Sequence, residues 1–533
     1  MVALLQRLLA ALLGGTLLWL SFPDAGLWWA AAPGVALVTL ATRGARLATG
    51  GLVGLTAGLA LFVPLLRWSG IYVGADAWLA LAGFEAIYLI GMGILLVAVQ
   101  RWTSRFSLPV EAALLPPLVG ASWVVQEWVR STIPWGGFSW ARLAFSQAEA
   151  PTLAAVRWVT SAGLSAWVGA IGGLLAVTAV WVARRARTRN EPVAVPVGAL
   201  AAAGVLTFGP LVLPVSPPTG PSLDVLAVQG DAPQSGFRFN ENAREVLTNH
   251  TTLVHRAAEE IEAGERPAPD VVFLPENASD VDPTRDEGAA GLLAEASWAI
   301  DTPMLVGAIL SEPSPMVSNS VLQYLPGQGP VARYDKQHPV PFGEWIPHRD
   351  LFRRITPKVD LVPRDFAAGD QMGVMDVPTD SGDLRVGMGI CFEVAYDDLM
   401  RIPVVQGSEL LFIPTNNASF GITDQSTQQL AISRVRAMEH ARSVVHISTV
   451  GVSALLGPDG SILSSPDGGE PRGTELYEPA LLSASVPLND GLTLATRLGN
   501  WPTWVLAALV LPAAVAGLLP PSTRRGRAAD ERA

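Results

Sequence analysis

Apolar runs separated by short basic loops fill the first 215 residues, and the pattern then changes to short alternating segments until close to the C-terminus. The runs cover 8–22, 26–42, 47–66, 77–100, 112–126, 161–183 and 193–213, with an eighth at 501–519. A spanning helix needs roughly 20 apolar residues. By that measure the first and fifth runs are short, and Pro116-Pro117 interrupts the fifth. A second run follows the first within four residues, so the first reads as a retained anchor rather than a cleaved signal. Arg7, Arg43, Arg46, Arg101, Arg105, Arg184, Arg185, Arg187, Arg189, Arg524, Arg525 and Arg527 all fall on one side of an eight-span arrangement. Arg67, Arg130, Arg142 and Arg157 fall on the other. The excess of positive charge marks the cytoplasmic side, which predicts cytoplasmic termini and an extracytoplasmic 214–500. The Trp- and Gly-rich stretch 130–159 reads either as a segment lying at the outer membrane surface or as a plain loop.

The outer region reads differently. Strands are predicted at 224–229, 271–275, 304–310, 320–325, 374–377, 384–390, 410–414, 444–450 and 481–486. Helices are predicted at 243–263, 287–299, 395–405 and 425–441. Strands alternating with helices imply a layered α/β domain. The expected division is a membrane domain of seven helices at 1–215, an α/β domain at 216–495, an eighth helix at 496–519 and a cytoplasmic tail at 520–533. The Pro-rich stretch 214–221 reads as a stiff linker to the membrane.

Charge sharpens the division. Only 16% of the 533 residues are charged and half are hydrophobic, well below the charge of a soluble domain. Residues 220–500 hold 38 Asp+Glu against 19 Lys+Arg; the remainder holds 9 against 17. No basic stripe crosses the acidic domain, so nucleic acid is not expected as a partner. Cys391 is the one cysteine, which rules out an intramolecular disulfide, and Lys336 and Lys358 are the two lysines. The six histidines show no metal-ligand spacing.

Three polar residues end or follow apolar strands, where α/β folds place their sites. Glu276 follows Val271-Val272-Phe273-Leu274-Pro275; Lys336 lies in Tyr334-Asp335-Lys336-Gln337-His338; Cys391 follows Val386-Gly387-Met388-Gly389-Ile390. A cysteine nucleophile needs a base, because its ordinary pKa of about 8.5 leaves little thiolate at neutral pH. A glutamate can take the proton, and a lysine can stabilise the oxyanion on the attacked carbonyl. The backbone N–H of Phe392 is a second candidate oxyanion donor. Taken one at a time, the same residues read as a core cysteine, a cap and a surface cation. Glu85, inside the fourth run, reads as a helix-packing carboxylate or a functional one.

Leu274-Pro275-Glu276, Asp335-Lys336 with Pro341-Phe342-Gly343-Glu344, and Gly389-Ile390-Cys391-Phe392-Glu393 resemble the three catalytic motifs of the nitrilase superfamily. Joined to seven preceding runs and one following, they resemble the apolipoprotein N-acyltransferase family over nearly the whole chain. The likeness extends to Val228-Gln229-Gly230, to Phe138-Ser139-Trp140-Ala141-Arg142 and to Asn416-Asn417-Ala418-Ser419-Phe420-Gly421.

The resemblance implies an αββα nitrilase-like sandwich carried by eight transmembrane helices in the bacterial cytoplasmic membrane. It implies Glu276 as base, Lys336 as cation and Cys391 as nucleophile, with Glu344 and Glu393 as supporting carboxylates. It also implies a phospholipid acyl donor, the free α-amine of a diacylated lipoprotein as acceptor, and a thioester on Cys391 between them. A monomer is expected, and the implied reaction requires no metal or organic cofactor. On two loops that gate substrate in the family, the chain departs from the family pattern. Phe237 and Phe239 stand where Trp is common, and Ser419, beside Phe420, replaces another Trp. A membrane-tethered amidase or hydrolase, with water as acceptor, and a non-catalytic membrane scaffold are the alternatives.

Overall fold

The computed structural model describes residues 1–188, 193–215, 218–232 and 244–520. Phe237, Phe239, Arg189, Arg524, Arg525, Arg527, part of the 214–221 linker and the tail beyond 520 lie outside the described residues.

Helices α1 (Val2–Leu20), α2 (Ala31–Thr42), α3 (Leu47–Leu65), α4 (Ala75–Thr103), α5 (Leu108–Arg130), α6 (Val156–Thr188) and α7 (Ala194–Phe208) form the apolar bundle. Strands and helices then follow as β1 (Ser222–Gln229), α8 (Glu245–Glu262), β2 (Val271–Ser279), α9 (Glu287–Ile300), β3 (Met304–Leu310), β4 (Ser318–Tyr324) and β5 (Pro330–Asp335). After these come α10 (Arg349–Arg353), β6 (Val374–Thr379), β7 (Gly382–Met388), α11 (Asp397–Val405), β8 (Leu410–Thr415), α12 (Gln425–His440), β9 (Ser443–Ser448), β10 (Ala454–Leu456) and β11 (Ala480–Pro487). The described chain ends in α13 (Leu494–Leu498) and α14 (Trp501–Leu518), which packs back into the bundle.

Among the described residues, seven helices are long and apolar enough to cross a membrane, and 28–42 is a shorter apolar helix. The fifth run is longer than its sequence suggests. It becomes the 23-residue α5, with Pro116 and Pro117 inside it. Neighbouring helices make such prolines tolerable in a membrane bundle. Helices α3 and α4 cross through glycines: a Cβ on Gly54 would lie 1.8 Å from the Leu89 carbonyl oxygen. Backbones can approach that closely only through small residues, the usual basis of helix packing in lipid. Glu85 is paired, its Oε2 lying 3.2 Å from Arg130 Nη1 with both side chains buried.

The bundle has two distinct ends. The α1 and α3 C-termini both meet α12, where Gln428 Nε2 donates to the Pro23 and Leu65 carbonyls at 3.3 and 3.4 Å. At the opposite end Arg7 donates to the Ala41 carbonyl at 2.5 Å, Arg43 pairs with Glu111 at 2.6 Å, and Arg105 donates to the Leu519 carbonyl at 2.6 Å. Since α1 and α3 run the same way, α2 carries the chain back between them despite its shortness.

Two sheets face each other over the α/β core. One has six strands in the order β11-β1-β2-β3-β4-β5, and the other has five in the order β10-β9-β8-β7-β6. Val225, Phe273, Leu305 and Val321 of the first interdigitate with Val386, Leu410, Phe412 and Val445 of the second. Helices α8 and α9 cover the outer face of the first sheet through Leu247, Val254, Leu293 and Ala296. Helices α11 and α12 cover the second, and their buried side chains belong to the same apolar cluster as the membrane helices. The order is thus helix, sheet, sheet, helix, with the last helical layer resting on the bundle.

Candidate active site

Each predicted catalytic residue occupies a backbone irregularity at the end of a strand. On β2 the pairing with β3 slips between Leu274 and Ser279, and Glu276 sits in that bulge. Gly307 opposite makes room for it: a Cβ there would lie 2.1 Å from the Pro275 carbonyl oxygen. β7 ends at Met388, and Cys391 begins a 3-10 turn, Cys391–Ala395, with φ of 57°. A non-glycine residue held there costs on the order of 1–3 kcal/mol and persists only when its surroundings fix it. β5 ends at Asp335, and the Lys336 N–H donates back to the Asn319 carbonyl at 2.9 Å.

These three strand ends converge. Lys336 Nζ lies 2.8 Å from Glu344 Oε1 and 3.4 Å from Glu276 Oε1. Asn319 Nδ2 donates to the same two oxygens, at 2.6 Å to Glu276 and 3.0 Å to Glu344. Lys336, Glu276, Asn319 and Cys391 are all buried. Gln429 Nε2 approaches Cys391 Sγ at 3.6 Å.

Burial raises the Glu276 carboxyl above the ordinary glutamate range; the Lys336 ammonium opposes that shift and the Glu344 side chain adds to it. Burial would by itself lower the Lys336 pKa, but Glu344 and Glu276 outweigh it and hold the ammonium charged. Burial and the neighbouring Glu276 push the Cys391 thiol up to about 12, partly offset by Lys336. The resting thiol is therefore protonated, beside the Glu276 carboxyl group and a fixed cation, and the sulfur ionises as a reaction proceeds.

Glu393 binds the backbone on both sides of the site. Its carboxylate accepts the backbone N–H groups of Ile390 at 2.8 Å, Gln337 at 2.7 Å and His338 at 2.9 Å, and the Tyr334 hydroxyl at 3.1 Å. It thus clips the cysteine turn to the chain just after Lys336. Glu344 Oε2 accepts from the Val340 N–H at 2.7 Å, fixing its own loop.

Within the stretch 130–159, residues 139–148 are buried. Trp140 is buried and stacks on Phe392 with ring centroids 5.6 Å apart and planes 9° from parallel. Phe138 stacks on the same ring at 5.4 Å, and Trp140 Nε1 donates to Gln428 Oε1 at 2.8 Å. Arg142 and Arg436 both bind Asp397, at 2.6 and 2.8 Å, and Arg436 reaches Glu439 at 2.6 Å. Glu439 in turn accepts the Ser161 N–H of α6 at 2.7 Å. The cysteine turn is built directly on the membrane bundle.

Phe420 lies in the turn Ala418–Phe420, edge-on to Trp68 of the bundle at 5.0 Å, with Ser419 half-buried beside it. Asn319 and Gln429 lie in no motif of the sequence, and Asn417 lies in the 416–421 stretch without a role assigned to it there. The one signal for Gln429 was α12 itself, whose polar residues are buried on nearly all sides. Among the described residues no group of His, Cys, Asp and Glu side chains could hold a metal ion.

A cysteine, a glutamate and a lysine meeting at the strand ends of a paired-sheet domain, mounted on apolar helices, define a membrane-embedded enzyme of the carbon–nitrogen hydrolase class. The carbon-nitrogen hydrolase family model matches residues 228–490, and that of the apolipoprotein N-acyltransferase N-terminal domain matches residues 14–174. The apolipoprotein N-acyltransferase of Mycolicibacterium smegmatis is 37% identical over 97% of this chain and 85% of its own length. That of Gloeobacter violaceus is 29% identical over 97% and 95%, and that of Photobacterium profundum 25% identical over 94% and 93%. The chain belongs to the apolipoprotein N-acyltransferase family.

Proposed function

We propose that this chain transfers an acyl group from a membrane phospholipid to the N-terminal α-amine of a diacylated lipoprotein, through a thioester on Cys391. The observation that carries the reading is the buried cluster of Cys391, Glu276 and Lys336, seated on a lipid-facing bundle in a member of this family.

In the first half-reaction Sγ attacks the ester carbonyl while its proton passes to Glu276. The oxyanion faces Lys336 Nζ and the Phe392 N–H, which lies in the first turn of its helix, where backbone donors lack intrahelical partners. Collapse breaks the ester C–O bond, and Glu276 returns the proton to the departing lysophospholipid. In the second half-reaction the neutral α-amine attacks the thioester and yields its proton to Glu276. Collapse then expels the sulfur, which takes that proton back. An α-amine of pKa near 8 is partly neutral at physiological pH. Glu344 holds Lys336, and Glu393 joins the cysteine and lysine segments. Ser419 and Phe420 belong to a loop over which substrate passes, and Phe237 and Phe239 are assigned to substrate on the family resemblance alone.

The topology follows the same logic. Eight spans in the inner membrane, cytoplasmic termini and an extracytoplasmic α/β domain at 216–495 agree with Arg7, Arg43 and Arg105 gathering at the end opposite that domain. The chain works as a monomer. Cys391→Ala and Lys336→Ala are expected to abolish transfer while leaving the protein inserted in membranes.

Transfer and hydrolysis are separated by the acceptor. A diacylated lipopeptide with a free N-terminal amine should become N-acylated, and the same peptide acetylated at that amine should not react. Free fatty acid released at the same rate with either peptide would replace this reading with the hydrolase.

A further inference from the structure

Among the described residues, Cys391 Sγ has two hydrogen-bonding neighbours with different chemistry: the Glu276 carboxyl group, which takes the S–H proton, and the Gln429 amide at 3.6 Å. Which end of that amide faces the sulfur is a question of hydrogen-bond logic, since an amide oxygen and nitrogen have nearly the same shape. The surrounding network answers it. The Gly451 backbone N–H can only donate, and it donates to Ser448 Oγ at 2.8 Å. The Ser448 hydroxyl keeps its own proton to give, and the acceptor it faces is Asn417 Oδ1 at 2.5 Å. Thr415 Oγ1 donates to the same oxygen at 3.1 Å. Asn417 is thereby fixed with its Nδ2 pointing away, where it donates to Gln429 Oε1 at 2.9 Å and Gln425 Oε1 at 2.5 Å. With its oxygen so occupied, Gln429 presents Nε2 to the sulfur.

Ser448, Asn417, Gln425 and Gln429 are all buried. The approach is close: a Cβ on Gly451 would lie 2.1 Å from Asn417 Oδ1, so this glycine is needed for the network to close. A directed chain of donors thus starts at a backbone N–H in the loop after β9 and ends on the nucleophile. A network of this kind is worth most when every member is satisfied.

We propose that Gln429 is the sulfur-facing donor that stabilises the Cys391 thiolate in both half-reactions, and that Ser448 and Asn417 are positioning residues that fix the direction of its amide. The proposal rests on Cys391 being the nucleophile. Sulfur carries negative charge twice per cycle, when it gives its proton to Glu276 and when the amine expels it. Lys336 serves the carbonyl oxygen at those moments, and Gln429 serves the sulfur. The interaction is stronger with thiolate than with thiol, so it lowers the barrier rather than merely binding substrate. It also offsets the rise in the thiol pKa that burial causes.

The chain's single cysteine makes a direct test possible, because iodoacetamide can alkylate one thiol in the purified full-length protein. The thiolate is the reactive form, so the alkylation rate at a fixed pH reports thiolate formation whether or not the enzyme turns over. Gln429→Met, which keeps the length of the side chain and removes the donor, should slow alkylation roughly 10- to 100-fold, the size expected for a hydrogen bond to a charged group. Ser448→Ala frees Asn417 to rotate and should slow it by a smaller factor, which keeps the test available if the Gln429 variant does not fold. In acyl transfer, kcat should fall roughly 10- to 100-fold with KM little changed. An alkylation rate unchanged in both variants, with kcat reduced, would assign the network to packing and overturn the proposal. Failure of the nucleophile assignment would show separately, as wild-type enzyme without an acyl adduct on Cys391.

Discussion

Lys336 stands between the buried Glu276 and the part-buried Glu344, and the consequence of removing it can be worked out. At 2.8 Å from Glu344 and 3.4 Å from Glu276, its Coulomb attractions come to about 6 and about 5 kcal/mol at an effective dielectric of about 20. Desolvation of the three groups offsets most of that gain, and deleting one partner of such a cluster typically costs about 3–5 kcal/mol, because an uncompensated buried charge remains. Lys336→Met should therefore lower the melting midpoint in detergent by at least about 6 °C. Without the ammonium, Glu276 and Glu344 repel each other, and one of them gains a proton as pH falls. The deficit should thus be largest at high pH and narrow on acidification.

Adding Glu344→Gln removes one of the two charges and should recover about half of the lost stability, although acyl transfer stays abolished. The assay is a double-mutant cycle in melting midpoint, read beside acyl-adduct formation. A single variant that melts like the wild type, or a double variant as unstable as the sum of its parts, would refute the account of these three groups as one electrostatic unit.

Acid should destabilise the α/β domain before it protonates most carboxylates. Burial holds the imidazoles of His250 and His440 down to about 4 and that of His446 to about 3. Their stabilising contribution is complete above the unfolded value of about 6.5 and is lost as pH falls from there through the folded values. A melting midpoint that falls steadily from pH 6.5 to pH 4 is expected, and His446→Gln should flatten the decline. Trp140→Leu should slow adduct formation roughly 10- to 100-fold by releasing the Phe392 ring and with it the cysteine turn. Trp140→Phe, which keeps the stack, should retain most of the rate; equal losses in the two would exclude the stacking argument.

What could be read in the sequence divides along physical lines. Buried strands announce themselves as apolar runs, so β1, β2, β3, β8 and β9 lie within a few residues of their predicted positions. β5 was missed because it opens with Pro330, carries Arg333 and Asp335, and lies at the sheet edge, where proline and charge are tolerated. β10 has three residues, too few for any pattern. Glu276, Lys336 and Cys391 stood out because charge or a lone thiol after an apolar strand is unusual. Asn319 and Gln429 carry no charge, and their importance comes only from what lies across 43 and 38 residues of chain. The burial of residues 139–148 was not legible for a related reason. Aromatic residues suit a membrane interface as well as a buried junction, and only the third dimension brings Phe392 onto Trp140. Glu85 and Arg130 are 45 residues apart, so their pairing was likewise hidden.

The central claim, an acyl-thioester on Cys391, is open to one direct measurement. Purified enzyme incubated with phospholipid and no acceptor, then digested and weighed, should carry one acyl mass on the peptide containing Cys391. Neutral hydroxylamine should remove it, as it removes a thioester and spares an amide. A Cys391 peptide of unmodified mass, in enzyme that still N-acylates a lipopeptide when both substrates are present, would contradict the account.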